Sequence, residues 1–149
     1  MKKLSLILIA IFSFVLTAFS KDDNKVVTWN VTLKALGNNT YQVNAEAILK
    51  EGFHIWAMDA GGDGSLINTE ITFDDAAIEW VDKTWESSRK PITVTYDFID
   101  GAVHYFEKKV VLSRKFISKE VPKIKGTITF QTCNESMCFP PEDVSFEVK

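Results

Sequence analysis

The sequence predicts an all-β protein, specifically an immunoglobulin-like antiparallel β-sandwich. Short segments of alternating apolar and polar residues recur along the chain with turn residues between them. In addition, no segment keeps an apolar period of 3.6 residues long enough to predict a helix. A β-barrel is the alternative architecture for the same pattern. The predicted strands cover residues 27–33, 41–49, 53–58, 68–73, 78–81, 92–96, 105–112, 126–131 and 144–148.

The first two predicted strands form a hairpin. Apolar residues occupy every second position from Val27 to Leu33, and again from Tyr41 to Leu49. Such alternation is typical of strands with one buried face. Between them, residues 37–39 read Gly-Asn-Asn, which are the residue types that tight hairpin turns prefer. The later strands are shorter and are predicted from β-branched and aromatic residues between turn signals.

Residues 1–20 have the pattern of an export signal. Lys2 and Lys3 precede an apolar run that is short for a membrane span, and Ala18-Phe19-Ser20 fits a small-x-small cleavage site. We expect cleavage near Ser20, so that residues 21–149 form one exported domain without membrane insertion. An uncleaved amino-terminal anchor is the alternative.

The charge of the chain disfavours nucleic acid and anionic lipid as partners. The formal net charge is -3 with Lys2 and Lys3 included, and it is more negative once they are removed. Proteins that bind phosphate backbones are usually basic instead. We therefore expect neither nucleic acid nor a membrane surface as a partner.

Both cysteines of the protein, Cys133 and Cys138, lie in the segment TCNESMCFPPE near its end. In an oxidising compartment such a pair is usually joined. Closing so small a loop stabilises a fold by only about 2 kcal/mol, against nearly 5 kcal/mol for a loop of about a hundred residues. Pro140 and Pro141 restrict the backbone after Cys138, so the two sulfurs should stay close together when the disulfide is reduced. A pair held close in both states suits reversible thiol-disulfide exchange. The alternative is a non-catalytic binding domain whose disulfide pins an edge hairpin.

The cysteine segment CNESMCFPPE resembles that of the amino-terminal periplasmic domain of DsbD, a family of thiol:disulfide interchange proteins. EGFHIWAMD is similar to the glycine-aromatic strand of that family, and YDFIDGAVHYFEKKVVL is similar to its cap loop and following strand. The resemblance extends from Val26 to the end of the chain. It implies a periplasmic immunoglobulin-like domain that relays reducing equivalents through its cysteine pair without an organic cofactor or a metal.

The resemblance also implies roles for individual residues. Cys138 matches the exposed sulfur that forms mixed disulfides with thioredoxin-like partners, and Cys133 matches its internal partner. A separate membrane protein would donate the electrons. The implied cap loop comprises Asp97, Phe98, Ile99 and Gly101, with Phe98 and Ile99 both candidates for the side chain that shields the sulfurs. The implied pocket-lining residues are His54, Trp56, Phe139 and Pro140.

Local charge predicts a slow thiol. No Lys, Arg or His lies between Cys133 and Pro141, whereas Glu135 and Glu142 are close in sequence. Nothing in this segment would lower the pKa of a thiol, so we expect slow alkylation of the reduced protein at pH 7.

Other chemistries fit the sequence less well. A thiol protease would need His54 or His104 beside a cysteine, and neither has a recognisable signature around it. The residues Asp59, Asp63, Gly64 and Glu70 fit only part of a calcium-loop template. The two histidines and two cysteines match no standard zinc spacing.

Overall fold

The computed structural model describes residues 25–74 and 78–149, and it confirms the prediction of an all-β fold. The predicted export signal at residues 1–20 lies outside the described residues. The strands are β1 (Val27–Gly37), β2 (Thr40–Leu49), β3 (His54–Gly61), β4 (Glu70–Phe73), β5 (Glu79–Trp80), β6 (Glu86–Ser87), β7 (Ile92–Tyr96), β8 (Ile99–Glu107), β9 (Lys109–Ile117), β10 (Ile124–Phe130), β11 (Thr132–Cys133) and β12 (Glu142–Val148).

The strands form an immunoglobulin-like sandwich of antiparallel sheets. One layer has the order β1-β2-β9, with β5 and β6 both pairing with β9. The other side is made of two sheets, β12-β10-β4 and β11-β3-β8-β7. The main core lies between them, because its buried cluster includes Ala45 and Leu112 from the first layer and Ile55, Phe106 and Ile128 from the other sheets.

The predicted hairpin of the first two strands is present. Strands β1 and β2 pair from Val27 opposite Leu49 to Gly37 opposite Thr40. Asn38 and Asn39 both adopt positive φ, at 49° and 59°. Positive φ at two successive residues matches the twist of the flanking strands, and asparagine tolerates it better than most residues.

The single strand predicted at residues 105–112 is wrong, because this segment forms the end of β8 and the start of β9. Lys108 lies between them with a φ of 64°. At this residue the chain passes from one sheet to the other. Apolar residues continue in phase on both sides, with Phe106 and Val110 both buried, so the hydrophobic pattern gives no sign of the crossing.

Another crossing positions the cysteines. Phe130, at the end of β10, is 1% exposed and lies in the main core. After Gln131 the chain enters a different sheet as β11, where Cys133 belongs to a second buried cluster. One extended segment therefore connects the core of the sandwich to the cysteine pair.

Candidate redox site

A disulfide joins Cys133 and Cys138 in a small hairpin. The two Cα atoms are 3.9 Å apart, and the residues form an antiparallel bridge. Just outside the ring, the Phe139 amide donates a hydrogen bond to the Thr132 carbonyl oxygen at 2.8 Å. Inside it, the Asn134 amide donates to the Met137 carbonyl oxygen at 2.9 Å. Backbone hydrogen bonds therefore hold the hairpin on both sides of the disulfide.

The Asn134 side chain organises the turn within the ring. Its Oδ1 accepts hydrogen bonds from the amides of Ser136 and Met137, each at 2.9 Å. Asparagine commonly fixes turns by this kind of bond to the backbone two or three residues ahead. These bonds involve no sulfur, so they remain available when the disulfide is reduced.

The two cysteines differ in exposure. Cys133 is 1% exposed, whereas Cys138 is exposed and follows Met137, itself 56% exposed. A sulfur must be reachable to be attacked by a partner protein. The arrangement gives one accessible cysteine residue and one that faces the interior.

Strand register sets the neighbours of Cys133. On β3, Ile55 points into the main core, so the alternation of side chains places His54 and Trp56 on the opposite face. Cys133 lies directly opposite His54 in the pairing of β11 with β3. On its other side, His54 lies directly opposite Glu107 of β8. The three residues thus form a row across three strands, on the face that carries the cysteines.

Aromatic rings surround His54 on this face. Its ring centroid is 5.1 Å from that of Trp56 and 4.5 Å from that of Tyr105. Trp56 and Tyr105 also meet edge to face, with 6.3 Å between their centroids. Such contacts hold the imidazole in a defined orientation beside the cysteine pair.

Burial affects the ionisation of two of these side chains. It lowers the pKa of His54, and the Glu107 carboxylate opposes that effect by raising it. Burial is also the main reason that the pKa of Tyr105 is raised. Three side-chain atoms in this region, His54 Nε2, Trp56 Nε1 and Thr132 Oγ1, are buried and have no hydrogen-bond partner among the described residues.

A cavity of about 520 Å³ opens beside the disulfide. Six residues predicted for the site line it: His54, Trp56, Phe98, Ile99, Cys133 and Cys138. Further lining residues are Gly52, Phe53, Leu66, Tyr96, Tyr105, Glu107, Asn134, Glu135, Ser136 and Met137. Asp97, Gly101, Phe139 and Pro140 are outside the lining set, and the Phe139 ring lies 6.1 Å from that of Phe53.

The predicted cap loop forms the tip of the hairpin between β7 and β8. Phe98 is 79% exposed and stacks on Tyr96 with 5.2 Å between ring centroids. Ile99 is more deeply placed and packs against the second cluster, which includes Trp56 and Cys133. The tip therefore presents one exposed ring and one anchored aliphatic side chain beside the disulfide.

Sequence reasoning missed several residues of the cavity, above all Tyr105 and Glu107. Their signal is the alternation from Val103, which places Val103, Tyr105 and Glu107 on one face of β8. Because the sequence predicts one continuous strand over residues 105–112, it does not indicate that this face of β8 lies beside the cysteines.

The described residues, 25–74 and 78–149, contain neither a cluster of metal-ligating side chains nor a membrane-spanning helix. No group of three or more His, Cys, Asp or Glu side chains there could hold a metal ion. Within the same ranges, no helix is long and apolar enough to cross a membrane.

The sequence matches the profile of one family over residues 23–149: "Thiol:disulfide interchange protein DsbD, N-terminal". The chain belongs to this family. The resemblance noted in the cysteine segment is thereby confirmed, and the disulfide of this DsbD N-terminal family member lies within the matched region. Curated protein sequences give no significant match.

Solved structures with a similar fold include N-terminal domains of DsbD and ScsB. The reduced N-terminal domain of DsbD from Neisseria meningitidis has a TM-score of 0.53 at 16% identity, covering 80% of this chain and 83% of that one. The N-terminal periplasmic domain of ScsB from Proteus mirabilis has a TM-score of 0.57 at 19% identity, covering 85% of this chain and 47% of that one. A complex of the DsbD and PilB N-terminal domains from Neisseria meningitidis has a TM-score of 0.51 at 14% identity, covering 83% and 82%. At these identities the likeness shows the shared fold.

Proposed function

We propose that this DsbD N-terminal family member is an exported relay for reducing equivalents. Its Cys133 and Cys138 would cycle between dithiol and disulfide, with Cys138 forming the mixed disulfide and Cys133 resolving it. The observation that carries the proposal is the unequal exposure of the two cysteines, one buried at 1% and the other exposed. Family membership supports thiol:disulfide interchange as the chemistry.

Thioredoxin-like periplasmic proteins are the proposed partners, and a separate membrane protein is the proposed electron donor. A relative of this chain has been solved in complex with a second domain, the N-terminal domain of PilB. The relative from Proteus mirabilis is described as a periplasmic domain, which supports the same location for this protein. In this reading, the signal at residues 1–20 directs export and is removed near Ser20.

The cap loop has a proposed role in protecting the disulfide. Phe98 and Ile99 line the cavity beside the cysteines. Because Ile99 packs against the cluster that contains Cys133, we assign the main shielding contact to Ile99. Phe98 would instead present an exposed ring to a docking partner. His54 and Trp56 line the same cavity, and the cap loop would cover them together with the sulfurs.

The reduction potential of the disulfide tests the proposal. A structural disulfide of an exported protein usually has a potential below about -300 mV, whereas an exchanging one lies higher. Equilibration with a dithiothreitol or glutathione series, read by mass spectrometry after thiol alkylation, gives the value. A potential below -300 mV would favour the alternative, a binding domain with a structural disulfide.

Trapping provides the second test. With Cys133→Ser, the remaining Cys138 should accumulate a mixed disulfide with a thioredoxin-like protein, because the resolving sulfur is gone. The matched control is Cys138→Ser, in which the buried Cys133 should trap far less. Equal trapping by both variants would contradict the assigned roles.

A further inference from the structure

Three neighbouring strands place a thiol, an imidazole and a carboxylate in one row. Cys133 on β11 is opposite His54 on β3, and His54 is opposite Glu107 on β8. Residues directly opposite in antiparallel strands point to the same face, with Cβ atoms about 4.5 to 5.5 Å apart. All three line the same cavity. Strand register, rather than the reach of flexible side chains, therefore brings them together.

The resolving step of the exchange needs a base at Cys133. Only a thiolate attacks a disulfide, and an ordinary thiol has a pKa of about 8.5. Burial favours the neutral thiol further, and Cys133 is 1% exposed. Within residues 25–74 and 78–149, no Lys or Arg lines the cavity to stabilise a thiolate. The proton of Cys133 thus needs a nearby acceptor.

His54 has the properties of that acceptor. Its Nε2 is buried and makes no hydrogen bond to any part of the chain that the structure describes. Burial lowers the pKa of the ring, so the neutral imidazole is the form present at neutral pH. The Glu107 carboxylate favours the protonated ring and would stabilise the imidazolium once it forms, as a carboxylate does beside a catalytic histidine.

Other titratable groups around His54 are less suited to take the proton. Tyr105 on β8 has a raised pKa, and the phenol therefore stays protonated at neutral pH. Apart from the two cysteines, the remaining titratable side chains among the described lining residues are Tyr96, Glu107 and Glu135. Among these lining groups, His54 is the one directly opposite Cys133 in the strand pairing.

We propose that His54, supported by Glu107, accepts the proton of the Cys133 thiol when the mixed disulfide on Cys138 is resolved. The inference rests on the proposed function, since it requires a mixed disulfide on Cys138. His54 gains a proton, the Cys133 thiolate attacks Cys138 Sγ, and the bond between Cys138 and the partner sulfur breaks. The partner sulfur leaves with the bonding electron pair and is then protonated. Over both exchange steps the dithiol of the domain loses two electrons and the disulfide of the partner gains them.

The test uses oxidised glutathione as the disulfide substrate. The reduced protein is mixed with excess oxidised glutathione and quenched in acid at intervals, and mass spectrometry separates the glutathione adduct from the closed disulfide. His54→Gln should slow closure of the adduct about 100-fold, the lower end of what a positioned base contributes. His54→Phe, which keeps an aromatic ring beside Trp56 and Tyr105, should slow it similarly. The midpoint set by His54 should also disappear from the pH profile, leaving a rate that rises steadily with pH through neutrality as the unassisted thiol ionises.

The protein offers a matched control in its other histidine. His104 Nδ1 and Thr93 Oγ1 share a hydrogen bond at 2.9 Å, and His104 lines a different cavity. The His104→Gln variant should therefore close the adduct at the wild-type rate. Glu107→Gln removes the charge that raises the pKa of His54 and should move the midpoint of the pH profile to lower pH. An unchanged midpoint would show that Glu107 does not support the protonated form of His54.

Failure of this inference can be distinguished from failure of the relay. In a Cys133→Ser background, His54→Gln should leave the rate of adduct formation on Cys138 within about twofold, because the base acts on the other sulfur. Closure at the wild-type rate and pH profile in both His54 variants would overturn the role of His54 and leave the relay intact. If no adduct forms on Cys138 in the Cys133→Ser protein, both proposals are wrong.

Discussion

The ring of Phe98 stacks on the ring of Tyr96 with 5.2 Å between their centroids, at the tip of the hairpin beside the disulfide. Phe98 is nonetheless 79% exposed. The next residue, Ile99, packs against the buried cluster that includes Cys133. Two adjacent apolar side chains are therefore anchored differently, and their removal should have different effects on access to the sulfurs.

Truncation of Ile99 should expose the cysteines more than truncation of Phe98. A loss of about 1 kcal/mol of packing would raise the population of the open hairpin about fivefold. Ile99→Ala should therefore raise the alkylation rate of the reduced protein by iodoacetamide about fivefold at pH 7, from a slow wild-type rate. Phe98→Ala should change it by less than about twofold, since its ring is already in solvent. Val121, 78% exposed and outside the cavity, supplies the control Val121→Ala. A larger effect of Phe98→Ala would reverse the assignment.

Opening the disulfide should leave the sandwich folded. By the chain-entropy estimate, so small a ring contributes about 2 kcal/mol, and hydrogen bonds of the hairpin at Thr132 and Asn134 do not involve sulfur. Urea unfolding of the oxidised protein, the reduced protein and a Cys133→Ser/Cys138→Ser variant should show cooperative transitions in all three. The reduced forms should be less stable by about 2 kcal/mol or less. Loss of the cooperative transition on reduction would contradict a redox role.

Asn134 should tune the reduction potential. Its Oδ1 accepts two amide hydrogen bonds inside the ring, which hold the two cysteines close together. Asn134→Ala should weaken this preorganisation by about 1 kcal/mol and raise the potential by about 20 mV. Asn134→Asp keeps acceptor oxygens and should stay closer to wild type. The measurement is equilibration against dithiothreitol, and a lower potential in the alanine variant would contradict the role of the turn.

His54 should make stability depend on pH. Because burial lowers its pKa below the ordinary value of 6.5, the unfolded chain binds this proton more readily than the folded one. The stability that neutral His54 contributes is therefore fully present above pH 6.5, and it is lost as the pH falls through the lower pKa that His54 has in the folded protein. Urea unfolding at pH 7.5 and pH 5 should show a smaller loss of stability for His54→Phe than for wild type.

The control for this measurement is the other histidine of the chain. His104→Gln should retain the wild-type difference between the two pH values. If His54→Phe loses as much stability on acidification as wild type, His54 is not the group responsible.

Gly61 should resist substitution because of its position against β8. A Cβ there would overlap the Ala102 carbonyl oxygen and lie 3.1 Å from the His104 side chain, and the residue has a φ of 69°. Gly61→Ala should destabilise the protein by about 2 to 4 kcal/mol from overpacking and left-handed strain together. Gly37→Ala tests the conformational part alone. Gly37 has a φ of 91°, and a Cβ added there would have no described atom within 4 Å apart from its chain neighbours. Equal losses in the two variants would show that the contact with Ala102 is unimportant.

The alternation of apolar residues was sufficient to predict the strands that have one buried face. The hairpin from Val27 to Leu49 is an example, because its turn residues and its strand period agree. The short strands Glu86–Ser87 and Thr132–Cys133 were not predicted, since two residues carry no period. The break at Lys108 was also missed, because a lysine at positive φ has no sequence signature.

The cysteine pair was evident in the sequence, whereas its surroundings depend on long-range pairing. Local charge near Cys138 gave no hint of a base, yet the register of β3 brings His54 opposite Cys133. Glu107 joins this row from a strand that is more than fifty residues farther along the chain than His54. Such neighbours depend on which strands pair and in which register, information that a single sequence carries only weakly.

The short segment from Phe130 to Cys133 ties one sulfur to the core of the domain. Phe130 is buried in the main core only three positions before Cys133. The short connection between them limits how far Cys133 can move. When the S–S bond opens, the increase in the distance between the sulfurs must then come from movement of Cys138 and the residues before it. The side of the hairpin that carries the exposed Cys138 would therefore move when the disulfide opens, whereas the side that carries Cys133 would keep its position.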